Sequence, residues 1–393
     1  MSIYLDNCAT TPVAPEVADV MDQVTRQNFG NPSSIHTAGR RAAQVLSSAR
    51  AVVAESLGTR PDEIIFTSSG TEANNLAIAG TLQSRALTCG KSRPLRVIST
   101  NVQHASVSNR LLFEQRIRGD GELQVTAIPI DTQGQIDKTE LFSAAELGAD
   151  LATFLYVNNE TGIIQNLDVL KELKLRFPAL PVHLDIVQAY GKILWDSRTL
   201  PFDMATVCAH KIHGPKGAGA LFVRNGYPIE PLFVGGGQEK FRRPGTEDVA
   251  AIAGFAKAVE LMPPPETTHA YFTRLEQIFF DTLQNEKIPY TLNGPKQPGD
   301  ERLAGFFNLS FPGCTNKEDL QIALDLEGVC VSSTSACHSG VVADSHVLKA
   351  MGIDESIRNG SIRILFNRYQ SPETAAEAAR RIAKVVRRIQ QHP

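Results

Sequence analysis

The sequence lacks most of the features that assign a protein at a glance. Its six cysteines, Cys8, Cys89, Cys208, Cys314, Cys330 and Cys337, are scattered through 393 residues with no CxxC pair. That argues against a disulfide framework or a structural zinc site and points to a reducing, cytoplasmic setting. Basic charge is not in excess. With a net charge of −3, neither nucleic acid nor an anionic membrane is an expected partner. No apolar run is long enough to cross a bilayer, and Met1 leads into Ile3-Tyr4-Leu5 without the basic start of a secretory signal. No GxGxxG follows the first strand, and Gly214-Pro215-Lys216-Gly217 lacks the Gly-Lys-Ser/Thr of a Walker A loop. His210 and His213 are spaced HxxH rather than i,i+4 and have no third ligand nearby, so no metal is expected.

What is present describes an ordinary globular chain, 42% apolar and 21% charged, long enough for about two domains. Asn31-Pro32-Ser33-Ser34 precedes a helix that carries Ala42, Val45, Leu46, Ala49, Val52, Val53 and Leu57 at helical spacing. Glu63 to Thr67 reads as a strand, followed by Ser68-Ser69-Gly70-Thr71 and a second helix. Apolar strands then alternate with helical stretches: Leu95–Ser99, Ala152–Val157, Val182–Leu184, Met204–Val207 and Ala220–Val223. The alternation predicts an α/β fold, a large domain with a mostly parallel sheet flanked by helices. A helix over 247–262 runs into Pro263-Pro264-Pro265, the clearest boundary signal. The remainder, with a helix over 269–285, strands near 306–311 and 329–332 and a helix over 373–391, predicts a smaller α+β domain. The expected division is 13–262 for the large domain and 1–12 with 263–393 for the small one.

Four constellations carry chemistry. Lys211 leaves a buried strand beside His210 and a Gly-Pro turn, where it is badly placed for solvation. There it is suited to lose its proton and form an imine with a carbonyl cofactor, although a buried structural lysine is the plainer alternative. Ser69-Gly70-Thr71 at a helix start makes an anion cradle or, more simply, a helix cap. Asp185, at the carboxyl end of an apolar strand, needs a cationic partner such as a protonated pyridine nitrogen, unless it caps the next turn. Gln188, one short turn on, is within reach of a phenolic oxygen. Cys337 lies among small polar residues from Ser332 to Gly340 and has little packing purpose, which favours a reactive thiol over an incidental one.

Taken together, these residues resemble the cysteine desulfurases, pyridoxal 5'-phosphate enzymes of the aminotransferase class V fold, over essentially the whole chain. The resemblance rests on Tyr4-Leu5-Asp6, Ala9-Thr10-Thr11-Pro12, Phe29-Gly30-Asn31-Pro32-Ser33-Ser34 and Thr67 to Asn75. It continues in order through Asn158-Asn159-Glu160-Thr161-Gly162, Asp185 to Gln188, His210 to Gly217, Arg243-Pro244-Gly245-Thr246 and Ser335-Ala336-Cys337. It implies a type I fold with a seven-stranded sheet, and Lys211 holding the cofactor and moving protons. Asp185 would pair with the pyridine nitrogen, His104 would stack on the ring and handle protons, and Gln188 would contact the phenolic oxygen. Asn159 would lie against cofactor and substrate. Gly70, Thr71 and His210 would hold the phosphate, with Thr246 supplied by the second subunit of a homodimer. Arg363, helped by Asn31, would clamp the substrate carboxylate, and Cys337 would be the nucleophile that takes sulfur from L-cysteine.

The resemblance also implies a sulfur-acceptor protein such as an iron–sulfur scaffold. Two departures stand out. Cys208 occupies a position where the family commonly has a phosphate-binding serine; a thiol is a poorer donor, and Thr206 or backbone would have to compensate. The chain stops at Pro393, where some members carry a longer tail that helps dock the scaffold. Selenocysteine lyase is the nearest rival, since selenium leaves without needing a cysteine thiolate. An aminotransferase or a kynureninase does not explain the Cys337 run. A catalytically silent scaffold or a sulfur-carrier partner of the same fold is the alternative of another class.

Overall fold

The computed structural model describes residues 2–89, 93–119, 121–332 and 344–391. Its centre is a seven-stranded sheet built from β2 (Ile64–Thr67), β3 (Leu95–Thr100), β4 (Leu123–Ile128), β5 (Leu151–Leu155), β6 (Val182–Asp185), β7 (Met204–Cys208) and β8 (Gly219–Val223). The spatial order is β2-β8-β7-β6-β5-β3-β4. β8 alone runs antiparallel to its neighbours, β2 and β7. Every residue of β5, β6, β7 and β8 is buried, as short apolar strands covered on both faces must be. β4 is different. It forms one edge, mixes buried and exposed positions, and has no clean apolar run for a sequence pattern to detect.

Helices α1 (Pro15–Gln27), α2 (Thr37–Ser56), α3 (Gly70–Cys89), α4 (Ala105–Arg118), α5 (Lys138–Glu146), α6 (Leu167–Arg176) and α7 (Val249–Glu260) flank this sheet. The helix expected over 247–262 is α7, which begins two residues later because Asp248 caps it by accepting from Ala251 N–H at 2.9 Å. The next helix, α8 (Pro265–Asn285), starts four residues before its expected position, since Pro265 fits the first helical turn.

The rest of the chain builds a second sheet and core. β9 (Thr291–Leu292), β10 (Phe306–Ser310) and β12 (Ser361–Leu365) form an antiparallel sheet, and β11 (Val329–Cys330) pairs in parallel with β1 (Ile3–Tyr4). Helices α9 (Lys317–Leu326), α10 (His346–Ala350), α11 (Glu355–Arg358) and α12 (Pro372–Gln391) complete it. α12 buries Ala375, Ala378, Ala379, Ile382, Ala383 and Val386, a stripe at the i, i+3, i+4, i+7 spacing of one helix face. The stripe packs in a core with Leu5, Leu275, Phe279, Phe307 and Ile364. After β1, the N-terminal segment runs towards the large sheet, where Thr11 N–H donates to the His210 carbonyl at 2.9 Å.

Candidate functional site

The parallel strands deliver their carboxyl ends to one side of the sheet, and the chemistry gathers there. β2 leads to Ser69-Gly70-Thr71, β3 to His104, β5 to Asn159, β6 to Asp185 and Gln188, and β7 to Cys208, His210 and Lys211. All of these line one cavity of about 330 Å³, together with Cys8, Asn74, Ser106, Val187 and Arg363. A larger cavity of about 890 Å³ lies apart, bounded by Tyr156, Lys192, His269 and Asp300, and holds none of the residues singled out in the sequence. Chemistry rather than size picks out the site.

Lys211 ends a short 3-10 turn, Ala209–Lys211, that follows β7. Its Nζ donates to the carbonyls of Cys8 and Ala9, the latter at 2.6 Å. The N-terminal segment therefore holds the lysine in the cavity. Asp185 is buried at 4% exposure; its Oδ1 accepts from Val187 N–H at 3.0 Å and its Oδ2 from Asn74 Nδ2 at 2.7 Å. The other Nδ2 hydrogen of Asn74 goes to Ser106 Oγ at 2.8 Å, and that hydroxyl lies 2.7 Å from His104 Nδ1. Since Nδ1 also accepts from Ser106 N–H at 3.1 Å, this pattern assigns the imidazole proton to Nε2. Burial lowers the pKa of His104, against the opposing pull of Asp185, so the ring is neutral. Asn74 and Ser106 thus join the Asp185 carboxylate to the His104 ring. The sequence reading assigned neither residue a role; the available signal was a polar residue four positions after Gly70, inside an apolar helix.

At the anion end, Gly70 opens α3. A side chain there would bring its Cβ within 3.2 Å of Val187 Cγ2, so glycine lets the helix start sit close over the sheet. His210 Nδ1 is 3.2 Å from Thr10 Oγ1, and burial first, then Lys211, pushes its pKa down to about 4. Burial pushes the Cys208 thiol up to about 12 despite Lys211, leaving a protonated and weak donor. Thr206 does not stand in for the missing serine: its hydroxyl is 3.0 Å from His183 Nε2, and it does not line the cavity. Cys8, which the sequence reading also passed over, is a second buried thiol here, and burial raises it to about 11. Neither cavity thiol is a thiolate near neutral pH.

Arg363 projects from β12 at 5% side-chain exposure. Its Nη1 donates to the Asn159 carbonyl at 2.7 Å, and its Nε and Nη2 donate to Ser332 Oγ at 3.1 and 2.8 Å. Asp6 Oδ1 lies 3.4 Å from Nη2. Gln188 lines the same cavity. Its Nε2 donates to the Cys8 carbonyl at 2.9 Å, while its Oε1 is buried with no hydrogen-bond partner among the described residues. Asn31 and Thr246 do not line this cavity and are both exposed. Cys337 lies outside the described residues, as do the rest of 333–343.

These residues fit pyridoxal phosphate. The helix start offers N–H groups for a phosphate, the buried carboxylate suits a protonated ring nitrogen, and the orphaned Gln188 oxygen lacks a donor that a bound group would supply. Comparison with known proteins agrees. The aminotransferase class-V family model matches residues 3–375. A cysteine desulfurase IscS of Dictyoglomus turgidum is 37% identical over 372 residues, covering 94% of this chain and 91% of that protein. Among solved structures, a NifS-like protein superposes with a TM-score of 0.87 at 33% identity, covering 98% of this chain and all of the other. SspA in complex with cysteine gives a TM-score of 0.80 at 29% identity, over 94% of this chain and all of its own.

Proposed function

Because this chain belongs to the aminotransferase class-V family, we propose that it is a pyridoxal-phosphate-dependent cysteine desulfurase that converts L-cysteine to L-alanine. One observation carries the reading. Lys211, Asp185, the Gly70-Thr71 turn and Arg363 surround a single cavity, and Arg363 is bonded to Ser332, which immediately precedes the stretch bearing Cys337.

Bound pyridoxal phosphate supplies an electron sink that acidifies the substrate Cα–H. Lys211 would hold the cofactor through Nζ and is placed to move the substrate Cα proton; the Cys8 and Ala9 carbonyls keep its amine in the cavity. Asp185, oriented by Asn74 and Val187, would hold a proton on the ring nitrogen. Arg363 clamps the substrate carboxylate by two parallel charge-assisted bonds. The Cys337 thiolate attacks the substrate sulfur: an S–S bond forms, the substrate C–S bond breaks, and its electron pair stays with Cβ. His104, carrying its proton on Nε2, is placed to serve proton transfer near the departing group. The thiol hydrogen of Cys337 and the sulfur exchange balance as L-cysteine plus Cys337 thiol giving L-alanine plus Cys337 persulfide. Cys8 and Cys208 do not compete, because both are buried and protonated.

The same reading gives a homodimer in which Thr246, exposed on this chain, reaches the phosphate of the partner's site, with Asn31 completing the substrate side. The persulfide then passes to an acceptor protein such as an iron–sulfur scaffold, in the cytoplasm. The test is incubation with cysteine followed by mass analysis of the Cys337 peptide. One added sulfur with stoichiometric alanine is expected, and Cys337→Ala should drop alanine release to background. Alanine without persulfide would remove the nucleophile.

A further inference from the structure

The stretch that carries Cys337 is flanked by two serines, and both side chains are engaged. On its N-terminal side, Ser332 Oγ accepts from Arg363 and donates to Asp6 Oδ1 at 2.5 Å. On its C-terminal side, Ser345 Oγ donates to Glu160 Oε2 at 2.5 Å and accepts from Leu348 N–H at 3.0 Å, capping α10. The next residue, His346, sets Nε2 3.1 Å from the Gln103 carbonyl and Nδ1 3.7 Å from Glu160 Oε1.

Glu160 is the node of this network. It is 2% exposed, and its backbone is fixed at both ends: its N–H donates to Asn158 Oδ1 at 2.9 Å and its carbonyl accepts from Asn308 Nδ2 at 3.3 Å. The charged or titratable groups facing it are Arg363, Lys317, Asp344 and His346, while its direct hydrogen bond goes to the Ser345 hydroxyl. Burial of this group carries a desolvation cost that its Ser345 hydrogen bond and the Arg363 and Lys317 charges offset only in part. The anchors also have a common address. Glu160 follows Asn159, Gln103 precedes His104, and Ser332 sits on Arg363, so each flank is tied at or beside a residue of the site.

The geometry points to Glu160 as a positioning residue for the sulfur-transfer step, fixing the C-terminal flank of the Cys337 stretch against Asn159 and His104 through Ser345 and His346. The inference rests on the desulfurase reading above. The contacts of Ser332 and Ser345 set the two chain positions on either side of the Cys337 stretch, and misplacing one of them slows sulfur transfer without touching the cofactor chemistry.

The test compares Glu160→Ala, Glu160→Gln and Ser345→Ala holoenzymes with the parent. Rapid mixing with cysteine follows the cofactor absorbance, and quenched samples are weighed for sulfur on the Cys337 peptide. The first absorbance change should stay within about threefold of the parent, while persulfide formation slows by roughly 10- to 100-fold, the scale of a small misplacement. Turnover should fall with the KM for cysteine unchanged, and Glu160→Gln, which keeps an acceptor for Ser345, should retain more activity than Glu160→Ala. Amide exchange at Leu348 should quicken in Ser345→Ala even without cofactor. Equal losses in both signals, or loss of cofactor, would make Glu160 merely structural; unchanged persulfide formation would also overturn the proposal. Ser345→Ala removes no buried charge and decides the matter if Glu160→Ala does not fold. If the parent itself forms no persulfide, the desulfurase reading fails first, and this inference falls with it.

Discussion

Cys208 lines the cavity in the position where a hydroxyl would be the better donor, and its burial keeps it protonated. Cys208→Ser should therefore tighten pyridoxal phosphate binding by about 1 kcal/mol, roughly fivefold in Kd, as the gain of one stronger hydrogen bond to an anion. Titration of the cofactor-free protein by absorbance measures this; an unchanged Kd would place the phosphate away from residue 208. Glu160 makes a second prediction at this scale. Burial, outweighing the Ser345 hydrogen bond and Arg363, raises its carboxyl from 4.5 to about 7. Between those values the folded protein keeps a proton that the unfolded chain has released, so stability falls as pH rises through that window. The full loss, complete above pH of about 7, is roughly 3 kcal/mol. Glu160→Gln should flatten the dependence of melting temperature on pH over this range, and superimposable curves would refute the burial argument. Lys211 and Asp185 could be singled out from sequence because each is a charge at the end of an apolar strand, where burial makes a charge expensive. Asn74 and Ser106 could not, because a polar side chain on a helix is unremarkable until its neighbours on other elements are known.

At the scale of elements, the segment before Arg243 departs from ordinary backbone geometry. Glu239, Lys240 and Phe241 all have left-handed φ values, 46°, 57° and 63°. Such residues persist only where their surroundings hold them. Glu239 supplies the hold: its carboxylate accepts from Arg50 Nη1 at 2.8 Å and Nη2 at 2.5 Å, and from Phe66 N–H, on the edge strand β2, at 3.0 Å. Arg243 in turn donates to Glu72 at 2.8 Å in the first turn of α3, tying the segment to the anion turn. Glu239→Ala should cost about 3 kcal/mol, since it strips a largely buried arginine of its partner. Lys240→Gly, exposed and relieved of its strain, should instead stabilise by up to about 1 kcal/mol. Denaturant titration of the two variants gives the signs, and a stabilised Glu239→Ala would mean that the ion pair does not hold the turn. None of this is legible in the sequence, where Gln238 to Phe241 carries no glycine or asparagine to announce left-handed backbone. The buried strands were legible, by contrast, because continuous apolar runs have few other solutions. The edge strand β4 was not, since one of its faces meets solvent.

For the whole molecule, the N-terminal segment links the three sheets. β1 pairs with β11, Asn7 Nδ2 donates to the Leu365 carbonyl at 2.7 Å, and Cys8 to Thr11 reach Lys211 and His210. We take the division into 13–262 and 1–12 with 263–393 as a proposal, with the cavity where the two parts meet. A homodimer is the expected assembly, and sedimentation should give twice the 42.7 kDa chain mass. On the proposed reading, in which the exposed Thr246 would reach the partner's site, Thr246→Ala should weaken cofactor binding in that dimer. A monomer with full cofactor occupancy would refute the shared site.

The sequence by itself determined the alternation of strand and helix, the break between two helices near Pro263, and the order of motifs that identifies the family. These are local or linear properties, set by apolar periodicity and by residue types at fixed spacing. Only the tertiary structure decided which polar groups meet: Asn74 with Asp185 and Ser106, Ser332 with Arg363, and Ser345 with Glu160. It also decided that Cys8 and Cys208 are buried and protonated. Hydrogen-bond partners and pKa values depend on which side chains lie within about 3 Å and how much water is excluded, and chain order encodes neither directly.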